Sequence, residues 1–138
     1  MPAMKSLPTL RAALALLLVL LLAACGGNAI KPKVDTIREY GNAVRWSDWD
    51  SAIKFIDPVA RVASTITQED LDRLKDVKVT GYEVKTRATQ DDGTIKQTVE
   101  IRFIDENTQV ERSKRVQETW RLDEGGKIWW LTTDLPEF

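Results

Sequence analysis

Apolar residues recur along this chain with two different periods, and the change from one to the other divides it. From Val34 onward Val34, Ile37, Tyr40 or Gly41, and Val44 stand at helical spacing, with Arg38, Glu39 and Arg45 between them. This predicts a first helix. Gly41 weakens it by about 1 kcal/mol relative to alanine, so a kink or a close packing contact is expected there. Ser47 is placed to cap a second segment, in which Asp48 and Asp50 suit the positive end and Trp49, Ile53 and Ile56 form one face. Asp57-Pro58 stops that segment, because a residue preceding proline avoids the helical region. Thr67-Gln68-Glu69-Asp70 has the form of a capping box with Asp in place of Glu, opening a short helix whose Leu71 and Leu74 face inward.

After Asp76 the period becomes two. Val77 and Val79 alternate, Gly81 interrupts, and Tyr82, Val84, Thr86 and Ala88 continue in the opposite phase, which predicts a bulge at Gly81. Asp92-Gly93 predicts a two-residue hairpin with Asp91 facing Thr94, which would pair Val84 with Ile101 and Tyr82 with Phe103. In the third strand Val110, Val116, Trp120 and Leu122 occupy even positions, and the odd ones from Gln109 to Arg121 are polar. One face is therefore core and the other wet. Gly125-Gly126 closes a further hairpin that pairs Leu122 with Trp129 and Trp120 with Leu131, whereas a longer loop would turn Trp130 inward. Helices followed by strands predict an α+β fold: N-terminal helices packed on a curved antiparallel sheet of about four strands.

The start of the chain has neither period. Lys5 and Arg11 lead into an uncharged apolar run from Ala12 to Ala24, too short to cross a bilayer, which needs roughly 20 residues, and of the length of a secretory core. Leu22-Ala23-Ala24-Cys25 resembles the lipobox of bacterial lipoproteins. The resemblance implies cleavage before Cys25, diacylglycerol on its sulfur, and a further acyl chain such as palmitate on the new amine. Cys25 is the only cysteine, so it has no partner for an internal disulfide, and lipidation consumes a thiol that would otherwise be a liability in an oxidising compartment. One buried acyl chain binds reversibly and two or three hold the protein on the membrane. Gly26 stands where, in enteric bacteria, an aspartate would resemble an inner-membrane retention signal. The expected location is thus the cell envelope, on the periplasmic face of the outer membrane. Residues 1–24 form the signal peptide, 25–33 the lipidated cysteine and a Gly- and Pro-punctuated tether spanning about 15 Å, and 34–138 a single domain.

Composition narrows the function classes. The 138 residues carry a net charge of −1, and both cationic residues ahead of Cys25 leave with the leader, so the mature chain is mildly acidic and nucleic acid is a poor partner. No histidine is present, which removes the commonest general base and the commonest transition-metal ligand. Neither a phosphate-binding glycine loop nor a paired-cysteine metal site nor a nucleophile elbow occurs, and no cofactor or metal is expected. Five tryptophans are many for so small a domain and are expected mainly in the core. Adjacent Trp129 and Trp130 point to opposite faces of their strand, so one of them lies outside the main core.

Two stretches, "WSDWDSAIKFIDP" from Trp46 to Pro58 and "ETWRLDEGGKIWWL" from Glu118 to Leu131, resemble the helix and the final hairpin of nuclear transport factor 2-like domains. The resemblance implies a cone-shaped fold. Its enzymes include isomerases, cyclases and dehydratases that use a pocket with a buried Asp or His and a Tyr, and many of its members are non-catalytic binding or assembly domains. Here no histidine exists and no aspartate falls on an inward strand position. A polar row does break the inward face: Arg112, Lys114 and Glu118 on the third strand and Gln97 on its neighbour, groups that must pair, reach the rim or line a wet pocket. Glu118 would be the general base of any catalytic site, with Tyr40 a donor from the first helix. The expected function is a membrane-anchored envelope lipoprotein acting as a non-catalytic binding or assembly module, with the bilayer and an envelope protein or small apolar ligand as partners. The alternative is a small-molecule isomerase, cyclase or hydrolase using the same pocket.

Overall fold

The computed structural model describes residues 33–138; the apolar leader, Cys25 and the tether as far as Pro32 lie outside the described residues. Helix α1 spans Lys33–Arg45, α2 Trp49–Ala52 with a 3-10 turn Ile53–Phe55 continuing it, α3 Pro58–Ala63, and α4 Gln68–Lys75. Strands β1 (Val77–Thr89), β2 (Ile95–Asp105), β3 (Glu111–Leu122) and β4 (Trp129–Leu131) follow and form one antiparallel sheet in chain order. The α+β layout and the helices-first order are those the two periods predict.

Helix α1 buries Ile37, Tyr40, Gly41 and Val44, a single stripe along about two turns. At Gly41 the expected anomaly is a packing contact: a Cβ there would lie 2.8 Å from Cε1 of Tyr82, so only hydrogen lets that ring rest against the helix. Ser47 does not cap α2. It adopts a left-handed conformation (φ 57°) and its hydroxyl accepts the Val79 amide at 2.8 Å, while Asp48 takes the cap by accepting the Ser51 amide at 3.0 Å. Arg45 donates to the Val79 carbonyl at 3.0 Å, so the α1–α2 corner satisfies both backbone groups of one β1 residue.

Asp57 ends the 3-10 segment and also begins α3, a helix the sequence pattern did not predict. Its carboxylate accepts the Val59 amide at 2.9 Å with Pro58 in the first turn, where the missing proline N–H costs nothing. The same carboxylate accepts from Arg121, and that guanidinium first, then the backbone amide, holds it below the ordinary carboxylate range despite its burial. The Asp57 amide in turn donates to the Leu131 carbonyl at 2.8 Å, and Ile56 bridges Leu131 in parallel. The Thr67–Asp70 capping box forms as expected: the Asp70 amide donates to Thr67 Oγ1 at 3.2 Å and the Thr67 amide to Asp70 Oδ2 at 2.9 Å.

In the sheet the bulge at Gly81 is present, and a second shift lies between Val84 and Thr86. The first hairpin is one residue longer than expected. Gln90, not Asp91, pairs with Thr94, around the three-residue loop Asp91-Asp92-Gly93, with Gly93 at φ 82° and the Asp92 carboxylate accepting both the amide and the hydroxyl of Thr94. With the longer loop and the bulges, Tyr82 pairs with Ile101 and Val84 with Val99, in place of Phe103 and Ile101. Thr86 and Ala88, expected to continue the inward phase, instead sit opposite the outward residues Thr98 and Lys96, and Arg87 moves inward beside Gln97. On β3 only the middle of the inward row is core: Val116, Glu118 and Trp120 are covered, while Val110 and Leu122 are exposed. The second hairpin has the expected register, Trp120 with Leu131 and Leu122 with Trp129. Trp129 is buried and Trp130 half-buried; of the remaining tryptophans, Trp49 and Trp120 are core and Trp46 is exposed beneath the Arg45 guanidinium.

Trp120 is fully buried at the centre of the sheet and Phe103 nearly so. Either residue replaced by alanine is expected to cost roughly 3–5 kcal/mol, a large part of the roughly 5–15 kcal/mol that holds such a domain. Thr119→Ala is expected to be nearly silent, since what Thr119 supplies to Thr132 is its backbone carbonyl. Urea melts of the three variants check both faces of β3 together.

Candidate functional site

Gln97 and Glu118 face each other across β2 and β3, between the apolar pairs Val99–Val116 and Ile95–Trp120. They are 2% and 1% exposed. A carboxylate so placed loses its water and survives only if protein donors replace it. Three do. The Tyr82 hydroxyl lies 2.8 and 2.9 Å from the two Glu118 oxygens, Gln97 Nε2 donates at 2.5 Å, and the Trp120 indole N–H reaches Oε2 at 3.4 Å. Gln97 Nε2 also lies 3.3 Å from the Tyr82 hydroxyl, and Gln97 Oε1 accepts from Arg87 Nε at 2.8 Å. The amide thus connects an arginine at the rim to a carboxylate in the core.

The balance of these effects leaves Glu118 above the ordinary glutamate value: burial pushes it up and outweighs the hydrogen bonds from Gln97, Tyr82 and Trp120 and the more distant charge of Arg87. Tyr82 is pushed up strongly, first by burial, then by the Glu118 charge and by donating to it. Tyr40, the donor expected from α1, does not reach Glu118. Its ring packs edge-on against Trp120 at 5.3 Å and Phe55 at 5.9 Å, and its buried hydroxyl has no hydrogen-bond partner among the described residues. Burial raises it well above the ordinary tyrosine value, with the Glu118 charge adding to the shift. Tyr82 supplies the phenol that Tyr40 was expected to supply.

The polar row is thus split between two places. Gln97 and Glu118 join Tyr82 in the core with Tyr40 near them, whereas Arg112 and Lys114 are exposed at the other end of the sheet. Lys114 donates to the Glu137 carbonyl. Arg112 sits opposite Phe103 and lines a groove of about 540 Å³ bounded by α4, the ends of β1 and β2, and the segment from Leu135 to Phe138. Sequence reasoning missed Arg87, because the bulge that turns it inward falls between Val84 and Thr86, where no glycine or proline signals it. Tyr82 had the expected inward position, but a strand pattern treats it as an apolar ring and says nothing about its hydroxyl.

Chemically, Glu118 is a buried proton-binding group whose oxygens accept from Tyr82, Gln97 and Trp120. Among the described residues no group of three or more acidic or cysteine side chains could hold a metal ion, and no helix is long and apolar enough to cross a membrane. Neither family models nor curated proteins nor solved structures compared with this chain give a match.

Because the folded pKa of Glu118 lies above its unfolded value near 4.5, the group favours folding fully below that pH, and the contribution is lost as pH rises through the folded pKa. Glu118→Gln removes this dependence. Relative to wild type, the variant is expected to gain stability as pH rises from about 4.5 through the folded pKa, by roughly 1.4 kcal/mol for each unit that pKa is raised. Urea midpoints of both proteins across that range measure the gain, and parallel curves would mean that Glu118 titrates normally.

Proposed function

We propose that this protein is an envelope lipoprotein, held on the outer membrane through acylated Cys25, whose domain of the nuclear transport factor 2-like type is a non-catalytic binding or assembly module. The observation that carries the non-catalytic part is the closure of the core around Glu118. Among the described residues, Glu118, the candidate general base on the inward face, is 1% exposed, and its two oxygens are engaged by Tyr82, Gln97 and Trp120. A base needs its acceptor within hydrogen-bonding reach of a substrate proton, and here both carboxylate oxygens already accept from protein donors. The helices-first order and the four-stranded meander support the family reading, and the lipobox-like Leu22-Ala23-Ala24-Cys25 supports the anchor. The isomerase, cyclase or hydrolase alternative would require a substrate in the cavity of about 270 Å³ lined by Arg87, Gln97 and Glu118 to displace one of these hydrogen bonds.

Mature protein from its native membrane is expected to begin at Cys25 and to carry fatty acid, with Cys25→Ser misprocessed or released from the membrane fraction. Intact mass and fractionation read both outcomes, and an unlipidated wild-type protein would remove the anchor. Glu118→Gln is expected to leave partner capture unchanged, whereas a variant that folds and no longer captures its partner would return the core to the site.

A further inference from the structure

We infer that the groove between α4, the β1 and β2 ends and the segment Leu135–Phe138 binds a small amphipathic monoanion, an aryl- or alkyl-carboxylate, with Arg112 taking the carboxylate. This rests on the reading of the domain as a binding module and adds the site and the ligand class. At about 540 Å³ the groove is within the usual range for small-molecule sites of roughly 300–1,000 Å³. Its accessible apolar lining comes from Phe138, exposed and packed with its ring 4.5 Å from that of the buried Phe103, and from the half-buried Ile66. An apolar body therefore has a surface to rest on.

The polar rim selects the head group. Arg112 shares the inward face with Phe103 and makes no hydrogen bond or ion pair among the described residues, so its guanidinium is free to take a carboxylate. The other arginine at the rim is occupied: Arg73 pairs with Glu69 at 2.6 Å and lies 3.9 Å from Asp70. Two of the acidic groups are occupied as well. Asp70 closes the capping box with Thr67, and Asp105 accepts the amides of Asn107 and Thr108. With Asp76 and Glu137 the lining carries four carboxylates against two guanidiniums, so an anion is admitted only on the unpaired Arg112 and a second anionic group is penalised.

The test uses the lipidated protein reconstituted in phospholipid nanodiscs, titrated calorimetrically with 4-phenylbutyrate, 4-phenylbutanol and 4-phenylbutylamine, with protein-free discs subtracted. The carboxylate is expected to bind at least about tenfold more tightly than the alcohol or the amine, and Arg112→Met to abolish that preference while leaving the urea midpoint unchanged. Phe103→Leu, which keeps the floor apolar but removes the ring, is expected to weaken all three ligands together. Equal binding of the three probes, tighter binding of the amine, or a preference that survives Arg112→Met would overturn the assignment. Because the anchor is read by mass and fractionation, absence of carboxylate binding with lipidation intact would reject the ligand and not the lipoprotein.

Discussion

A carboxylate placed in the middle of an apolar sheet face must be given back the hydrogen bonds that water supplied, and much of this domain is arranged around that requirement at Glu118. Gln97 lies directly opposite on β2, Trp120 two residues along the same strand, and Tyr82 comes from β1. Each provider depends on a further local feature. The Tyr82 ring reaches its place because Gly41 has no Cβ to occupy it, and Arg87 faces Gln97 because the second bulge turns β1 by one residue. A row of polar side chains that looks like a fault in the pattern is thus one connected network from the rim to the core, in which every member but the Tyr40 hydroxyl beside it is satisfied.

The helical layer is joined to the sheet through backbone groups as well as apolar contact. An edge strand leaves amides and carbonyls exposed, and such an edge invites pairing with other chains. On β1 the side chains of Ser47 and Arg45 take the amide and carbonyl of Val79, and at the other side the Asp57 amide takes the carbonyl of Leu131. Asp57 works in three directions at once: its amide holds β4, its carboxylate caps α3, and the same carboxylate receives Arg121 from β3. The left-handed backbone at Ser47 turns its hydroxyl toward the Val79 amide on β1.

Closure of the core and openness of the groove are complementary consequences of how far the helices extend. Helix α1 meets the sheet at Val79 through Arg45 and at Tyr82 through Gly41, and Tyr40 packs edge-on against Trp120. Toward Phe103 and Arg112 the cover comes instead from α4 and from the segment Leu135–Phe138, which meet less completely and leave the groove. Polar residues of one sequence register therefore have opposite fates: Glu118 is sealed, and Arg112 is accessible. In the proposed module the anchor sets where the domain works and the groove sets what it meets.

Periodicity with local capping and turn signals determined the strands, the helices other than α3, the inward stripe of α1, the capping box at Thr67, the bulge at Gly81 and the pairing of Trp120 with Leu131. These follow from interactions within a few residues or from an alternation too long to be accidental. Tertiary structure decided the rest. Whether Asp92-Gly93 closes a two- or three-residue loop depends on the Asp92 carboxylate taking Thr94, and that one residue, with the second bulge, fixes every partner along β1. Whether Ser47 caps a helix or holds a strand depends on Val79, a residue 32 positions away. Which members of the polar row are buried depends on where the helices stop. The alternation of a strand says which face a side chain takes, but only the packed neighbour says whether that face is covered.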